Sequence, residues 1–250
     1  MSLLNNKIAI VTGAASGFGA QIARDYVEEG AKVVLADLNL EGANQIAQSL
    51  GENALAFKCN VAIKDDIDGL VNFCVENFGT PDIVVNNAGT THRNQPLMNV
   101  DEKTFDLIFD VNVKSIFYMV KAVVPLMREN GGGVMLNVGS VAGIRPRPGL
   151  TWYNASKGAV NTLSRSLAVE LGPDAIRVNA ICPVLGETGL LEHFMGVEDT
   201  PENRAKFLTT IPLGRLAKSS DVSNAAVYLA SDKADFITGV EFPVDGGRVI

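Results

Sequence analysis

Ile8-Ala9-Ile10-Val11-Thr12-Gly13-Ala14-Ala15-Ser16-Gly17-Phe18-Gly19 sets a β-branched apolar run directly against three glycines spaced GxxxGxG. The run is apolar on both faces, which suits a strand covered on both sides of a sheet. The glycines let the backbone turn tightly and lie close to a pyrophosphate, and the helix that follows offers unpaired N–H groups and the positive end of its dipole. A glycine-rich turn alone also serves as a plain tight turn. Its position between a strand and a helix carries the reading.

The same alternation continues along the chain. Ile8 to Thr12, Lys32 to Asp37, Ala54 to Lys58, Ile83 to Asn86, Gly133 to Val138, Ile176 to Ile181 and Val240 to Val244 have strand character. Helical spacing marks Gly19 to Glu29, Leu40 to Leu50, Ile63 to Phe78, Asp101 to Glu129, Trp152 to Leu171 and Ser219 to Ala230. Strands alternating with helices predict an α/β fold with a parallel sheet wound on both sides. No repeat or linker divides the chain, so residues 1–250 are expected to form a single domain. One long irregular stretch, Pro183 to Gly214, follows a strand. Ligands of open α/β sheets sit beyond the carboxyl ends of the strands, so this stretch is a candidate substrate lid.

The chain has 250 residues, 47% of them hydrophobic, 20% charged, and a net charge of −7. That balance supports a buried core and disfavours nucleic acid or an anionic membrane surface, both of which need a basic footprint. Cys59, Cys74 and Cys182 are odd in number and lie in apolar segments, as reduced thiols do. With only two histidines and no CxxC spacing, no metal site is expected. The opening Met-Ser-Leu-Leu-Asn-Asn-Lys runs straight into a strand pattern, without a signal peptide or membrane span, and a cytoplasmic location is expected.

Asp37 closes the second strand, where a carboxylate accepts both hydroxyls of an adenosine ribose and repels a 2′-phosphate. This argues for NAD; the alternative is a carboxylate that only caps the next segment. Ser16 and Leu38 stand where an arginine or lysine would serve a phosphate. Asn86-Asn87-Ala88-Gly89 either lines the floor under an adenine or is a plain strand-ending turn. Asn112 interrupts an apolar helical run, either as a satisfied core amide or as a functional group. Tyr153 and Lys157 stand four apart, on one helix face, where an ammonium favours the phenolate and makes tyrosine usable as an acid or base. Ser140 lies thirteen residues earlier, at the end of a strand.

Taken in order, these residues resemble the short-chain dehydrogenase/reductase family of the compact, single-domain type, over essentially the whole chain. The resemblance implies a Rossmann-type doubly wound sheet of seven parallel strands with the active site at the carboxyl ends. It implies that Tyr153 is the general acid/base, that Lys157 binds nicotinamide ribose hydroxyls and lowers the tyrosine pKa, and that Ser140 hydrogen-bonds the substrate oxygen. Asn112 would hold a water linking Lys157 to solvent, and Thr188 would meet the nicotinamide carboxamide. Gly13, Ser16, Gly17, Phe18 and Gly19 would contact the dinucleotide, with Asp37 and Leu38, then Asn60 and Val61, then Asn87, Ala88 and Gly89, and lastly Pro183. Two positions depart from the family pattern: Asn60 stands for a usual aspartate, and Val184 for a glycine after Pro183. The asparagine oxygen still accepts from an exocyclic amine, whereas valine narrows the backbone shapes open to the nicotinamide loop.

The chemistry agrees with these roles. As hydride reaches a carbonyl carbon, charge develops on its oxygen, which needs a proton donor and a further hydrogen bond. The expected activity is NAD(H)-dependent interconversion of a secondary alcohol and a ketone. A 3-oxoacyl-[acyl carrier protein] reductase and a non-catalytic dinucleotide sensor or scaffold are the alternatives. Ile144, Leu150, Trp152, Leu185, Leu190, Phe194 and Met195 are candidate walls of the substrate pocket. Arg145, Arg147 and His193 are candidate polar contacts, the arginines for a carboxylate or phosphate if they are not simply solvated, and His92 and Arg93 could reach the same mouth. Surplus apolar residues on the fourth and fifth helices, among them Val120, Val123, Val124, Leu163 and Leu167, together with the family's habit, predict a homotetramer.

Overall fold

β-branched residues buried on both faces build the centre of the molecule. In the computed structural model, which describes residues 2–187 and 189–250, the strands are β1 (Ile8–Thr12), β2 (Lys32–Asp37), β3 (Ala54–Lys58), β4 (Ile83–Asn86), β5 (Gly133–Val138), β6 (Ile176–Pro183) and β7 (Glu241–Val244). They form one seven-stranded parallel sheet in the order β3-β2-β1-β4-β5-β6-β7. Strand order reverses between β1 and β4, where Ala9 pairs with Ile83 and Val11 with Val85. A cleft opens beyond the carboxyl ends at such a switch point.

The helices are α1 (Gly17–Glu28), α2 (Leu40–Leu50), α3 (Lys64–Asn77), α4 (Glu102–Phe109), α5 (Ser115–Glu129), α6 (Thr151–Leu171), α7 (Leu191–Met195), α8 (Pro201–Leu208) and α9 (Ser219–Ala230). One face of the sheet packs against α1, α2 and α9 through Ile22, Tyr26, Ile46, Val222 and Leu229. The other packs against α3, α5 and α6 through Ile67, Leu70, Met119, Met127 and Leu171. With both faces covered, alternation of polar and apolar residues is lost in the middle strands, as the sequence suggested.

Three expectations change. The single helix expected over Asp101 to Glu129 is two helices joined by a π-helical turn, Asp110–Lys114, that contains Asn112. The wider turn absorbs an extra residue without breaking the apolar period, so sequence spacing did not reveal it. The stretch from Pro183 to Gly214, read as irregular, carries α7 and α8 over a small core of Val184, Leu185, Leu191, Met195, Ile211 and Leu216. Val123 and Val124, offered as surplus for subunit contact, are buried against the sheet. Phe117 and Val169 are the exposed apolar side chains of α5 and α6. Among the described residues no helix is long and apolar enough to cross a membrane.

Candidate active site

The glycine turn is braced from below by β4. Asn87 donates from its amide to the carbonyls of Thr12 (2.8 Å) and Gly13 (3.0 Å), and the Thr12 hydroxyl accepts from the N–H groups of Asn87 and Ala88. Gly13 has φ +65°, and a Cβ there would fall 2.9 Å from the Cα of Ala88. Only glycine permits that backbone shape and that approach. Gly19 is packed against the same turn in the first turn of α1 and stands outside the cleft, unlike Gly13, Ser16, Gly17 and Phe18, which line it.

Asp37, at the end of β2, accepts from the N–H of Ala15 (2.9 Å) and of Asn39 (2.8 Å). The carboxylate ties down the glycine turn and the start of α2, as the capping reading expects, and it also lines the cleft. Leu38 beside it is 62% exposed and brings no charge. Asn60 and Val61 line the same end, with the Asn60 side-chain oxygen accepting from the N–H of Ala62 at 3.1 Å.

The candidate catalytic group assembles from two elements. β5 ends at Val138 and delivers Ser140, whose hydroxyl oxygen accepts from the N–H of Ala142 at 3.0 Å. That bond leaves the Ser140 hydrogen free to be donated. α6 supplies Tyr153 and Lys157 from one face, 7% and 5% exposed. The same buried face continues through Asn161 and Ser164, and Asn137 of β5 joins Ser164 (2.9 Å) to Asn86 of β4 (2.8 Å). This polar ladder fixes α6 against the sheet. It went unread in the sequence because Asn86 and Asn137 lie in apolar strands with nothing local to announce a partner.

Burial pushes the Tyr153 phenol up to about 12, against the Ser140 hydroxyl and the Arg147 guanidinium, which pull it down. Burial also lowers Lys157 to about 8. The Lys157 ammonium donates to the carbonyl of Val138 at 2.7 Å and lies 6.0 Å from the centre of the tyrosine ring. Helical spacing placed the two on one face, as expected. The cation that draws the phenol down is Arg147, six residues earlier in the loop before α6, where the resemblance had implied Lys157.

Asn112 occupies the π turn, and its side chain is fully engaged. Its oxygen accepts from the N–H of Thr90 (2.8 Å), and its amide donates to the carbonyl of Thr90 and the hydroxyl of Ser156, both at 2.9 Å. It does not line the cleft, and it clamps the end of β4 to α6. A Cβ on Gly89 would sit 3.3 Å from the Asn112 oxygen and 3.4 Å from the Lys157 nitrogen, so the missing side chain leaves room beside the ammonium.

These residues surround a cleft of about 680 Å³, which suits a dinucleotide with a small substrate. Asn87, Ala88, Gly89 and Pro183 line it, as do Leu150, Leu185, Leu190, Phe194, Arg145 and Arg147 of the candidate pocket walls. Phe194 meets the Tyr153 ring edge-on at 5.1 Å. Thr188 lies outside the described residues. His193 is exposed and off the cleft, and Trp152 packs on Phe105 instead of lining the pocket. Ile144, Met195, His92 and Arg93 are likewise outside it. Sequence reasoning missed Leu107, Thr210, Ile211 and Arg248, which reach the cleft from three separate places in the chain. Among the described residues no His, Cys, Asp and Glu side chains gather as a metal-holding group.

The family described as enoyl-(acyl carrier protein) reductase matches residues 13–248. The chain is 49% identical over 250 residues to 4-formylbenzenesulfonate dehydrogenase of Comamonas testosteroni, covering 99% of each chain. It is 39% identical to a 3α-hydroxysteroid dehydrogenase of Mediterraneibacter gnavus, covering 98% of this chain and 97% of that one. In structure it is similar to 3-ketoacyl-(acyl-carrier-protein) reductase of Brucella melitensis, crystallised with NADH, at a TM-score of 0.94 and 43% identity, over 99% of this chain and 100% of the other.

Proposed function

The chain belongs to the short-chain dehydrogenase/reductase family, and from that premise we propose an NAD(H)-dependent dehydrogenase that interconverts an alcohol and its carbonyl compound with Tyr153 as acid/base. The observation that carries the proposal is the convergence of Ser140, Tyr153 and Lys157, all buried, on one cleft whose far end carries the Asp37 carboxylate. A dinucleotide fits the residues present: Gly13 and Gly17 both adopt positive φ in the turn that opens α1, and Gly89 leaves space beside the Lys157 ammonium. When bound, it supplies or takes the hydride.

The chain's own groups do the rest. Tyr153 gives its proton to the carbonyl oxygen in reduction and takes it back in oxidation. The Ser140 hydroxyl, held by the Ala142 N–H, donates a second hydrogen bond to the same oxygen as charge develops there. Lys157 keeps two N–H donors beyond the one committed to Val138, and these are available to ribose hydroxyls. Asn112 is a positioning residue: by clamping Thr90 to Ser156 it holds the strand end on which the ammonium's surroundings depend.

NAD is favoured over NADP because Asp37 and Leu38 offer a 2′-phosphate one negative charge and no positive one. Relatives are named for substrates as different as an aryl aldehyde sulfonate, a steroid and galactitol, so both aldehydes and ketones belong among the carbonyl compounds to be tried. The carrier-protein reductases among the relatives make oxoacyl thioesters the rival substrate. NADH binding followed by fluorescence, then turnover over a panel of aldehydes, ketones and oxoacyl carrier protein with NADH and NADPH, tests all of this. Absence of NADH binding and of turnover refutes the proposal, and preference for NADPH with oxoacyl substrates reassigns it. A homotetramer and a cytoplasmic location belong to the same reading, supported by the exposed Phe117, Val169 and Phe236 and by three buried free cysteines.

A further inference from the structure

Charge is distributed unevenly along the cleft. Among its described lining residues the one acid is Asp37, at the nucleotide end, while Arg145, Arg147 and Arg248 gather beyond Tyr153. Three guanidiniums in one corner are unusual in a chain of net charge −7. Among the described residues none of the three forms an ion pair with an aspartate or glutamate, whereas Arg128, Arg165, Arg204 and Arg215 each do. The nearby Asp245 accepts from the N–H groups of Gly247 and Val249, each at 2.9 Å, and its charge only partly offsets the burial and the Arg145 repulsion that act on Arg248.

Backbone oxygens and an aromatic ring hold Arg145 and Arg147 in place. Arg145 donates to the backbone oxygens of Arg248 at 2.8 Å and of Ile250 at 3.4 Å, which leaves it at the rim. Arg147 donates to the carbonyl of Phe194 at 2.7 Å and lies over the Phe207 ring at 5.0 Å. The Nη1 of Arg248 is buried without any hydrogen-bond partner. Burial and mutual repulsion hold Arg147 and Arg248 below the ordinary guanidinium range. A fork of five donors needs acceptors, and a buried cation left without one is costly.

We propose that Arg147 and Arg248, with Arg145 at the rim, form a subsite for an oxyanionic group, a carboxylate or sulfonate, at the far end of the substrate. The substrate is then a small oxo or hydroxy compound with a ring-sized apolar body and an anionic tail. Leu150, Leu190 and Phe194 provide the apolar wall between the tyrosine and the arginines. A local positive field within an acidic protein also draws such a substrate to the mouth. The inference rests on the reading that the reacting oxygen sits at Tyr153.

The test is reduction by NADH of para-acetylbenzoate and of terephthalaldehydate, each against its methyl ester. The acids should exceed their esters in kcat/KM by about ten- to a hundredfold, the size expected of charge-assisted hydrogen bonds, and the margin should shrink as salt is added. Arg248→Gln should collapse that ratio, and Arg248→Lys should restore part of it. Titration of benzoate into the NADH-loaded enzyme gives a readout independent of turnover, with binding expected in the wild type and weakened in both Arg147→Gln and Arg248→Gln. Equal kcat/KM for acid and ester, a ratio untouched by both variants, or no benzoate binding overturns the subsite. Absence of NADH binding strikes the oxidoreductase reading instead. If Arg248→Gln does not fold, the wild-type pairs, benzoate and Arg248→Lys still decide.

Discussion

Replacing Asp37 separates two jobs that one carboxylate performs. Its oxygens hold the N–H groups of Ala15 and Asn39 at 2.9 and 2.8 Å, and the carboxylate lines the end of the cleft proposed for the adenosine. In Asp37→Ser both amide contacts weaken, and hydrogen bonds to a charged acceptor contribute roughly 1.5–3 kcal/mol each. Only part is lost, because the serine oxygen recovers one contact and water reaches the other. A net cost of about 1–3 kcal/mol lowers Tm by about 2–10 °C for a chain of this length. Toward the nucleotide, losing the ribose hydroxyl contacts raises the NADH Kd by about 10- to 100-fold. Removing a negative charge opposite a 2′-phosphate lowers the NADPH Kd by a similar factor, since like charges about 4 Å apart near a surface repel by up to about 4 kcal/mol. The ratio of the two affinities should therefore move by about 100- to 10,000-fold. Adding Leu38→Arg, at a position 62% exposed, should move it further by supplying the missing cation. Fluorescence titration with each nucleotide, beside thermal melts, measures both jobs. Wild-type protein that binds NADPH as tightly as NADH, or an Asp37→Ser ratio within threefold of wild type, would refute the reasoning.

Tyr153→Phe should cut turnover by at least about a hundredfold while leaving NADH affinity within about threefold, because only the proton donor is removed; unchanged turnover would take tyrosine out of the mechanism. Alcohol oxidation needs the phenolate, and burial holds Tyr153 up at about 12, so kcat/KM for oxidation should climb with pH while reduction does not; a flat oxidation profile contradicts this. Because the Arg147 charge pulls that phenol down, Arg147→Met should carry the alkaline limb to higher pH and Arg147→Lys should return it, with a neutral alcohol as substrate. Asn112→Ala leaves the Thr90 N–H and carbonyl and the Ser156 hydroxyl without their partner in a buried site, which should cost about 2–4 kcal/mol in denaturant unfolding; a loss below about 0.5 kcal/mol would mean that water takes its place. Light scattering should give a tetramer, and a monomer at micromolar concentration counts against the subunit contacts assigned to α5 and α6.

Local physics was enough for the skeleton of this protein. An apolar β-branched run followed by GxxxGxG, six further strand runs alternating with helical spacing, an acid at the end of the second strand, and a tyrosine and lysine one helical turn apart are each fixed by spacing along the chain. So the sheet, its doubly wound helices, and the positions of Asp37, Ser140, Tyr153 and Lys157 were legible before any coordinates. The tertiary structure decided whatever depends on groups distant in sequence meeting in space. It made Asn112 a clamp by placing it in a π turn against Thr90 and Ser156, and it linked Asn86, Asn137 and Ser164 into one ladder. It brought Arg248, which follows the last strand, into the corner with Arg145 and Arg147, about 100 residues earlier. Periodicity encodes which face a side chain takes on its own element. Which charges end up sharing a buried corner is set by how loops from different strands close over the sheet, and no local pattern records that.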